Sequence, residues 1–378
     1  MKINLVNDSH VHLSFDTSLP GTEKAWRLWQ ERCGVERINF LALNAHEGFE
    51  IPELHDARCL YLKARFGEMG YAGFCLDYHR PETRDEILID LKDACAGGFD
   101  CWKIIEGKPD VQNGLKHSID SDFYEPCFAF AEAAEFPIVC HVADPIQMWG
   151  KGGKYEKGFL PKEEYQNAAL RILRRHPNLR WTFAHFGFFS DRPVFVEKLL
   201  ETYPYLMFDN VPAPEEYFVQ SAHAAEWHAI FESHPERFLF GTDRGPHPVG
   251  LLSSNEYFVR FPETVSYQKR IYLGKGIIDG RYPFPGYEDR WGTEWQALDL
   301  NDEAYNDLVF YNFLRRYGLK PREVNPQYLL NLANHDYSLP SSSKTKREDY
   351  ALIRAYCEER GASSDFVPAF PEKKKGGR

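Results

Sequence analysis

The sequence predicts a closed (β/α)8 barrel, an α/β fold in which parallel strands alternate with helices. Eight short apolar runs recur between residues 1 and 250, and amphipathic helical patterns separate them. No glycine-rich GxGxxG segment follows the first run, which disfavours an open dinucleotide-binding sheet. In a barrel of this kind, catalytic side chains lie at the carboxyl ends of the strands.

The predicted elements follow one another along the chain. Strands are expected at residues 3–12, 38–45, 71–78, 101–106, 137–144, 180–187, 206–211 and 238–242. Helices are expected at residues 22–33, 52–68, 82–96, 122–135, 161–176, 193–203 and 215–234. Thr22 is predicted to cap the first helix, and the proline of "PEEY" at 214–217 is predicted to open the last.

Two segments lie outside this repeat. Residues 251–300, with the phrase "YPFPGYEDRWGTEW", show no regular period, so we expect a long insertion after strand eight. It is interpreted as a lid over the barrel mouth, with a packing segment or a dimer contact as the alternatives. Helices resume at 302–317, interpreted as the eighth barrel helix, and at 326–333. We therefore divide the chain into a barrel at 1–337 and a C-terminal helical extension at 338–378, which comprises a connector, a helix at 350–360 and a tail.

Composition limits the class of partner. The chain has 378 residues, 43% of them hydrophobic and 27% charged, and a formal net charge of -11. This acidic balance argues against nucleic acid or an anionic membrane, so we expect a small-molecule substrate. No secretory signal precedes the first histidine, and no apolar stretch is long enough for a membrane span, so a cytoplasmic protein is expected. The eight cysteines form no CxxC pair, as expected of reduced thiols, and a homo-oligomer is expected only because such assemblies are common.

The stretch "DSHVH" at residues 8–12 ends the first predicted strand. Side chains two positions apart point to the same face of a strand, so Asp8, His10 and His12 share one face. Two imidazoles at that spacing can chelate one metal ion, with the carboxylate behind them to orient the rings. A strand end with two polar rings explains this short motif equally well.

Other strands end in further polar residues. Lys103 lies in "CWKIIEG", His141 in "PIVCHVAD", His185 in "WTFAHFG" and Asp243 in "FLFGTDRG". Each of them alone is explained by a structural role in the core or a loop. Together they fall at the same end of their strands, which predicts one site at the barrel mouth. Weaker candidates for the same mouth are His46, Glu47, Asp77, His79, Glu106, Asn210, Arg244 and His247.

These residues resemble the amidohydrolase superfamily, in the amidohydrolase-related branch of metal-dependent hydrolases and decarboxylases. The resemblance rests on Asp8-Ser9-His10-Val11-His12, on His141, on "PNLRWTFAHFG" with His185, on "YPYLMFDN" and on Gly241-Thr242-Asp243. It covers residues 1–250 and the helices near 302–335. The resemblance implies a divalent metal, Zn²⁺ before Mn²⁺, held by His10, His12, His141 and Asp243. Asp243 would act as proton carrier and His185 as a second catalytic group.

Lys103 leaves the metal count open. Some members of the superfamily carbamylate a fourth-strand lysine to bridge two ions, in which case His141 and His185 would bind the second ion. We favour one ion, with Lys103 and Arg244 gripping a substrate carboxylate. The expected activity is hydrolysis of an ester, lactone or amide bond. Nonoxidative decarboxylation of an aromatic or unsaturated acid is the alternative, and a non-catalytic binding barrel is the third hypothesis.

Overall fold

The computed structural model confirms the predicted (β/α)8 (TIM) barrel. It describes residues 1–13, 18–44, 54–77, 83–115, 117–211, 214–243, 261–281, 292–339 and 346–366. Eight strands pair in sequence order, each parallel to the next. They are β1 (Val6–Val11), β2 (Val35–Leu41), β3 (Gly70–Phe74), β4 (Cys101–Gly107), β5 (Ile138–Val142), β6 (Trp181–Phe183), β7 (Met207–Asn210) and β8 (Phe238–Phe240).

Contacts just beyond β8 close the barrel onto β1. The backbone N–H of Asp243 donates to the His10 carbonyl oxygen at 2.8 Å. Asp8 accepts from the Thr242 backbone N–H at 3.0 Å and from its hydroxyl at 2.6 Å. Gly241 permits this approach, because a Cβ there would lie only 3.0 Å from the Cβ of His10. The closure therefore brings the first and last predicted site residues together.

Helices cover the outside of the barrel between the strands. They are α1 (Leu19–Cys33), α2 (Asp56–Phe66), α3 (Arg84–Gly97), α4 (Pro109–Gly114), α5 (Glu125–Ala133), α6 (Lys162–Arg175), α7 (Pro193–Thr202), α8 (Pro214–Ala222) and α9 (Ala224–Ser233). The single helix predicted at 215–234 is thus two helices that meet at His223. The side chain of Ser18, rather than the predicted Thr22, caps α1. A capping box of Thr83 and Glu86 fixes the start of α3.

The helical segment at 302–317 packs against β8 and β1 and then reaches the amino-terminal end of the barrel. It consists of α11 (Asp302–Asn306), a π-helical turn (Asp307–Tyr311) and α12 (Asn312–Tyr317), numbered after the insertion helix α10 below. Phe313 and Tyr317 form one apolar cluster with buried residues of the barrel, namely Leu41, Tyr71, Cys101, Val139 and Ala184. Asn312 also donates to the Phe238 carbonyl oxygen, at the start of β8. The π-helical turn contacts β8 and β1, as expected of an eighth barrel helix, and α12 then plugs the amino-terminal end of the barrel.

The insertion after β8 contains regular structure. Helix α10 (Phe261–Leu273) packs against α1. Gln268 donates to the Gly241 carbonyl oxygen at 2.8 Å, and Lys269 donates to the Asn4 carbonyl oxygen at 3.1 Å. Strands β9 (Ile277–Asp279) and β10 (Glu294–Gln296) form an antiparallel pair. The lid interpretation stays a prediction for residues 251–260 and 282–291, which lie outside the described part of the chain.

The C-terminal helices pack on the barrel wall beside α2. Helices α13 (Pro326–Asp336) and α14 (Lys346–Glu358) contact each other, and both contact α2. The carboxylate of Asp349 lies 3.4 Å from the Arg58 guanidinium and accepts from the Leu19 backbone N–H at 2.9 Å. No helix in the described ranges is long and apolar enough to cross a membrane.

Candidate metal centre

The predicted site residues come together from the carboxyl ends of β1, β5, β6 and β8 and from the interior of β4, where Lys103 lies earlier in its strand than predicted. The rings of His12, His10, His185 and His141 follow one another, with centroids 4.8, 5.3 and 4.8 Å apart. All four rings are buried. The elements that supply the site are β1, β4, β5 and the segments that follow β6 and β8.

Hydrogen bonds fix the tautomers of His10, on β1, and His12, immediately after it. Nδ1 of His10 lies 2.8 Å from an Asp209 carboxylate oxygen, and Nδ1 of His12 lies 2.8 Å from the Leu41 carbonyl oxygen. Because these oxygens accept, each Nδ1 carries the proton and each Nε2 keeps its lone pair. The two Nε2 atoms face each other at 3.0 Å. Burial, and then the nearby Lys103, hold the pKa of His10 well below its usual value, so its ring is neutral.

Asp243 lies across from these nitrogens. One of its carboxylate oxygens is 3.3 Å from His12 Nε2 and 3.6 Å from His10 Nε2. The other is 4.0 Å from His185 Nε2. The Asp243 side chain is 32% exposed, so this carboxylate is the part of the cluster that solvent reaches most. Its backbone has a φ of +51°, a left-handed conformation that is rare outside glycine and common at functional sites.

His185 begins a left-handed turn immediately after β6. The φ angles of His185, Phe186, Gly187 and Phe188 are +51°, +57°, +59° and +53°. The predicted strand at 180–187 therefore ends early, at Phe183, and the chain turns back at His185. The His185 backbone N–H donates to Asp209 at 2.7 Å. Its buried Nδ1 has no hydrogen-bond partner among the described residues.

His141 forms its hydrogen bonds through Nε2, whereas His10 and His12 form theirs through Nδ1. Its Nε2 lies 3.0 Å from the Ala143 carbonyl oxygen and 3.2 Å from an Asp144 carboxylate oxygen. The Tyr155 hydroxyl donates to the other Asp144 oxygen. Because Nε2 is the donor here, Nδ1 is the nitrogen of the neutral ring that can bind a metal. Burial lowers the pKa of His141, which favours this neutral form.

Lys103 points from β4 into the same cluster. Its Nζ lies 3.2 Å from His10 Nε2, and the side chain is fully buried. Burial lowers the pKa of Lys103, against the opposing effect of the Asp209 and Asp243 carboxylates. The amine is therefore adjacent to the donor atoms that both the one-ion and the two-ion hypotheses use.

The carboxylate that orients His10 is Asp209, which the sequence analysis did not identify. Asp8, predicted to orient the imidazoles, instead contacts Thr242 and accepts from the His10 backbone N–H at 3.2 Å. Burial raises the pKa of Asp8 to about 7, although hydrogen bonds from Thr242 oppose this shift. Asp209 contacts the His10 ring through one oxygen and the His185 backbone through the other. The signal that could have found it is the polar pair Asp209-Asn210 at the end of an apolar strand.

A divalent cation fits this donor set. Donor atoms of His10, His185 and Asp243 lie within 4.8 Å of one another, and His12 Nε2 lies beside two of them. Two neutral imidazole lone pairs at 3.0 Å repel, and a cation between them would convert that repulsion into two ligand bonds. Neutral imidazoles and a carboxylate are ligands that zinc and other first-row divalent metals accept.

Three of the weaker candidates for the barrel mouth have hydrogen-bond partners in the structure. Asp77 contacts His335 of α13 at 2.6 Å, Glu106 accepts from the Ile105 backbone N–H, and Asn210 is hydrogen-bonded to Gln220. The first of these contacts joins the segment after β3 to α13, 258 residues away. The remaining candidates lie outside the described residues: His46, Glu47, His79, Arg244 and His247.

Comparison with known proteins gives the family. A family model described as amidohydrolase matches residues 35–318, so the chain belongs to the amidohydrolase family. The match begins after His10 and His12. No curated protein matches the sequence.

Solved structures share the fold at low sequence identity. An uncharacterised TIM-barrel protein from Bordetella bronchiseptica is 12% identical, with a TM-score of 0.52 over 83% of this chain and 98% of its own. The apo form of IDCase from Metarhizium anisopliae is 12% identical, with a TM-score of 0.50 over 83% and 97%. A 2,6-dihydroxybenzoate decarboxylase, complexed with 2,6-dihydroxybenzoate, is 15% identical, with a TM-score of 0.48 over 84% and 99%. At these identities the likeness concerns the fold alone.

Proposed function

We propose that this chain is a metal-dependent hydrolase that cleaves an ester, lactone or amide bond of a small carboxylated substrate. One observation carries the proposal: His10 and His12 each donate from Nδ1 to an oxygen and present Nε2 beside the Asp243 carboxylate. Such hydrogen bonds to the second ring nitrogen are typical of metal-binding histidines. Membership of the amidohydrolase family, whose members depend on metals, supports the same conclusion.

The proposed ligands are His10, His12, His141 and Asp243, with one Zn²⁺ as the first choice and Mn²⁺ as the second. His141 would bind through Nδ1, because its Nε2 is used by Ala143 and Asp144. In the two-ion alternative, Lys103 would carry a carbamate shared by the ions, and His141 and His185 would hold the second ion. The central position of the Lys103 amine is compatible with both arrangements.

The chain's own residues divide the chemistry among them. A bound divalent ion acts as a Lewis acid and makes water acidic enough to lose a proton near neutral pH. Asp243, the most exposed carboxylate of the cluster, accepts that proton and returns it to the leaving group. His185, whose Nε2 lies 4.0 Å from Asp243, hydrogen-bonds the substrate carbonyl oxygen. Lys103 and Arg244 would hold the substrate carboxylate.

Decarboxylation of an aromatic or unsaturated acid is the second candidate. The observation that favours it is the Lys103 amine, 3.2 Å from His10 Nε2. A carboxylate held between this amine and the metal ligands would place the bond that breaks inside the cluster, and Asp243 would then protonate carbon.

Metal content of the purified protein is the first measurement. We expect about one ion per chain by elemental mass spectrometry, and an occupancy near two would support the bridging carbamate. His10→Ala should lose most of the ion, whereas His117→Ala, at an exposed histidine, should keep it. Full occupancy in His10→Ala, or absence of metal after addition of zinc or manganese, would contradict the site.

A substrate panel then separates the reactions. Esters, lactones and amides of small carboxylic acids should consume alkali when they are hydrolysed, and aromatic or unsaturated acids should release carbon dioxide when they are decarboxylated. Turnover of neither class by the fully metallated protein would support the non-catalytic barrel.

A further inference from the structure

The amino-terminal end of the barrel, opposite the metal centre, carries a cavity of about 220 Å³ rich in arginine. Its described lining includes four arginines and a single carboxylate, Glu236. The arginines come from the residues just before β6 and β8 and from the plug helix α12: Arg180, Arg237, Arg315 and Arg316. This concentration of cations contrasts with the chain's net charge of -11.

Arg316 forms the base of the cavity and is buried without a carboxylate. Its side chain donates to the carbonyl oxygens of Tyr205 at 2.7 Å and Trp181 at 3.3 Å. Its Nε lies 3.1 Å from the Met207 sulfur. No carboxylate among the described residues lies within ion-pair distance of it. Burial, and then Arg180, lower the pKa of Arg316 to about 9. A buried guanidinium with only neutral acceptors is costly.

Three neighbouring arginines add positive charge beside Arg316, although each of them also has a carboxylate within ion-pair distance. Arg180 donates to the carbonyl oxygens of Arg315 and Arg316, both at 2.7 Å, and its buried Nε has no partner among the described residues. Arg237 donates to carbonyl oxygens near the end of α7 and to Glu236 at 2.9 Å. These contacts stabilise helix ends, but carbonyl oxygens are neutral. Arg180 lies 3.8 Å from a Glu135 carboxylate oxygen, and Arg315 pairs with Asp307 at 2.8 Å, which leaves Arg316 as the lining arginine without a carboxylate among the described residues.

We propose that this cavity binds a small, multiply charged oxyanion, either a phosphate or a polycarboxylate. Guanidinium groups present forked donors that match the oxygens of both. The site is reachable, because the side chains of Arg180 and Arg315 are 24% and 47% exposed. Binding here would act on the barrel plug and on the starts of β6, β7 and β8, far from the substrate.

Inorganic phosphate and citrate are the probes. Each is titrated calorimetrically into the full chain, and the melting temperature is compared with that in sodium chloride at matched ionic strength. We expect saturable binding of at least one anion and a rise in melting temperature. Binding of phosphate alone identifies a phosphate site, and binding of citrate alone identifies a polycarboxylate site. No binding beyond the chloride control would overturn the proposal.

Variants locate the anion. Arg180→Gln should weaken binding at least tenfold, and Glu236→Gln should tighten it by removing the lining carboxylate. Arg175→Gln is the matched control, because Arg175 is 38% exposed on α6 and pairs with Glu125 outside the cavity. His10→Ala should retain binding, which separates this site from the metal centre. Equal binding by the Arg180 and Arg175 variants, or loss of binding in His10→Ala alone, would refute the proposal.

Discussion

At the scale of single residues, the atoms that matter are the second nitrogens of the imidazoles. Asp209, Leu41 and Ala143 each provide an oxygen to a site histidine. These acceptors determine which nitrogen bears the proton, and therefore which nitrogen can bind a metal. None of the three is visible in the motif "DSHVH", because they lie on or after other strands.

Asp209 and Asp8 offer a matched test of whether the hydrogen-bond partner of a histidine ring affects metal binding. Asp209→Asn should weaken metal binding by about 10–100-fold, the usual cost of losing a partner that orients a ligand. Asp8→Asn should change it much less, because Asp8 contacts Thr242 and the backbone rather than an imidazole ring. Competition with a chelator of known affinity measures both. Equal losses in the two variants would mean that barrel closure matters more than ring orientation.

Asp243 has a second testable role at this scale. Asp243→Asn should reduce kcat by at least about 100-fold, the typical contribution of general acid–base catalysis, even where some metal remains bound. The rate must be divided by the metal content of the same preparation, so that lost metal is not counted as lost chemistry. Wild-type turnover per bound ion would remove Asp243 from the mechanism.

At the scale of elements, the turn after β6 has the most unusual backbone. Four successive residues, His185 to Phe188, have positive φ angles. Two buried side chains of α6 hold this turn: Gln166 donates to the Gly187 carbonyl oxygen at 2.8 Å, and Lys162 donates to that of Phe188 at 2.7 Å. A strained turn persists only when its surroundings over-determine it, so α6 fixes where His185 lies.

Gln166→Leu tests that dependence. It leaves the Gly187 carbonyl oxygen without its donor, and we expect the free energy of unfolding to fall by about 1–3 kcal/mol. The kcat should fall as well, because His185 loses its fixed position. Urea denaturation and turnover are compared with Gln327→Leu, at an exposed position on α13. An unchanged kcat with reduced stability would show that the turn does not position the site.

The strands and helices also show that sequence patterns predict the type of an element better than its end or its packing surface. All eight strands were predicted, although β6 ends at Phe183 rather than at 187. Apolar character continues through Phe186, Phe188 and Phe189, so the sequence offers no sign of the left-handed turn. The segment at 302–317 was correctly predicted to be helical. Its periodicity shows an apolar face, but it does not tell which surface that face covers, and here it covers the barrel base.

At the scale of the whole molecule, a C-terminal helix places the buried carboxylate of Asp336 close to that of Asp56 on the barrel. Asp56 of α2 accepts from Asn44 and from the Cys75 backbone N–H, and Asp336 of α13 accepts from the Ala57 backbone N–H at 2.9 Å. Burial, and then the charge of Asp336, raise the pKa of Asp56 well above its usual value. The folded chain therefore holds a proton that the unfolded chain releases near pH 4.

The raised pKa of Asp56 determines whether the free energy of unfolding rises or falls with pH. Between about pH 4 and the folded pKa, the folded state binds more protons, so the free energy of unfolding falls as the pH rises. Asp336→Asn removes the neighbouring charge and keeps an oxygen for the Ala57 N–H, so we expect higher stability at neutral pH and a flatter profile. Urea denaturation at several pH values measures this, with Asp122→Asn at an exposed position as control. A slope equal to that of the wild-type chain would contradict the shift.

The sequence by itself determined the barrel and the identity of its converging polar residues, because strand–helix alternation and the position of polar residues at strand ends are local patterns. His10, His12, Lys103, His141, His185 and Asp243 were all named in advance and lie together in the structure. Their metal-binding and catalytic roles remain proposals.

Only the tertiary structure decided which atoms face one another. The contact of Asp209 with His10, 199 residues away, depends on the closed barrel, as does the contact of Asp8 with Thr242, 234 residues away. The plug made by α12 and the arginine cavity beside it depend in the same way on segments that are distant in the chain. Such contacts are absent from the sequence pattern because periodicity records which face of an element is buried, and not which distant residue buries it.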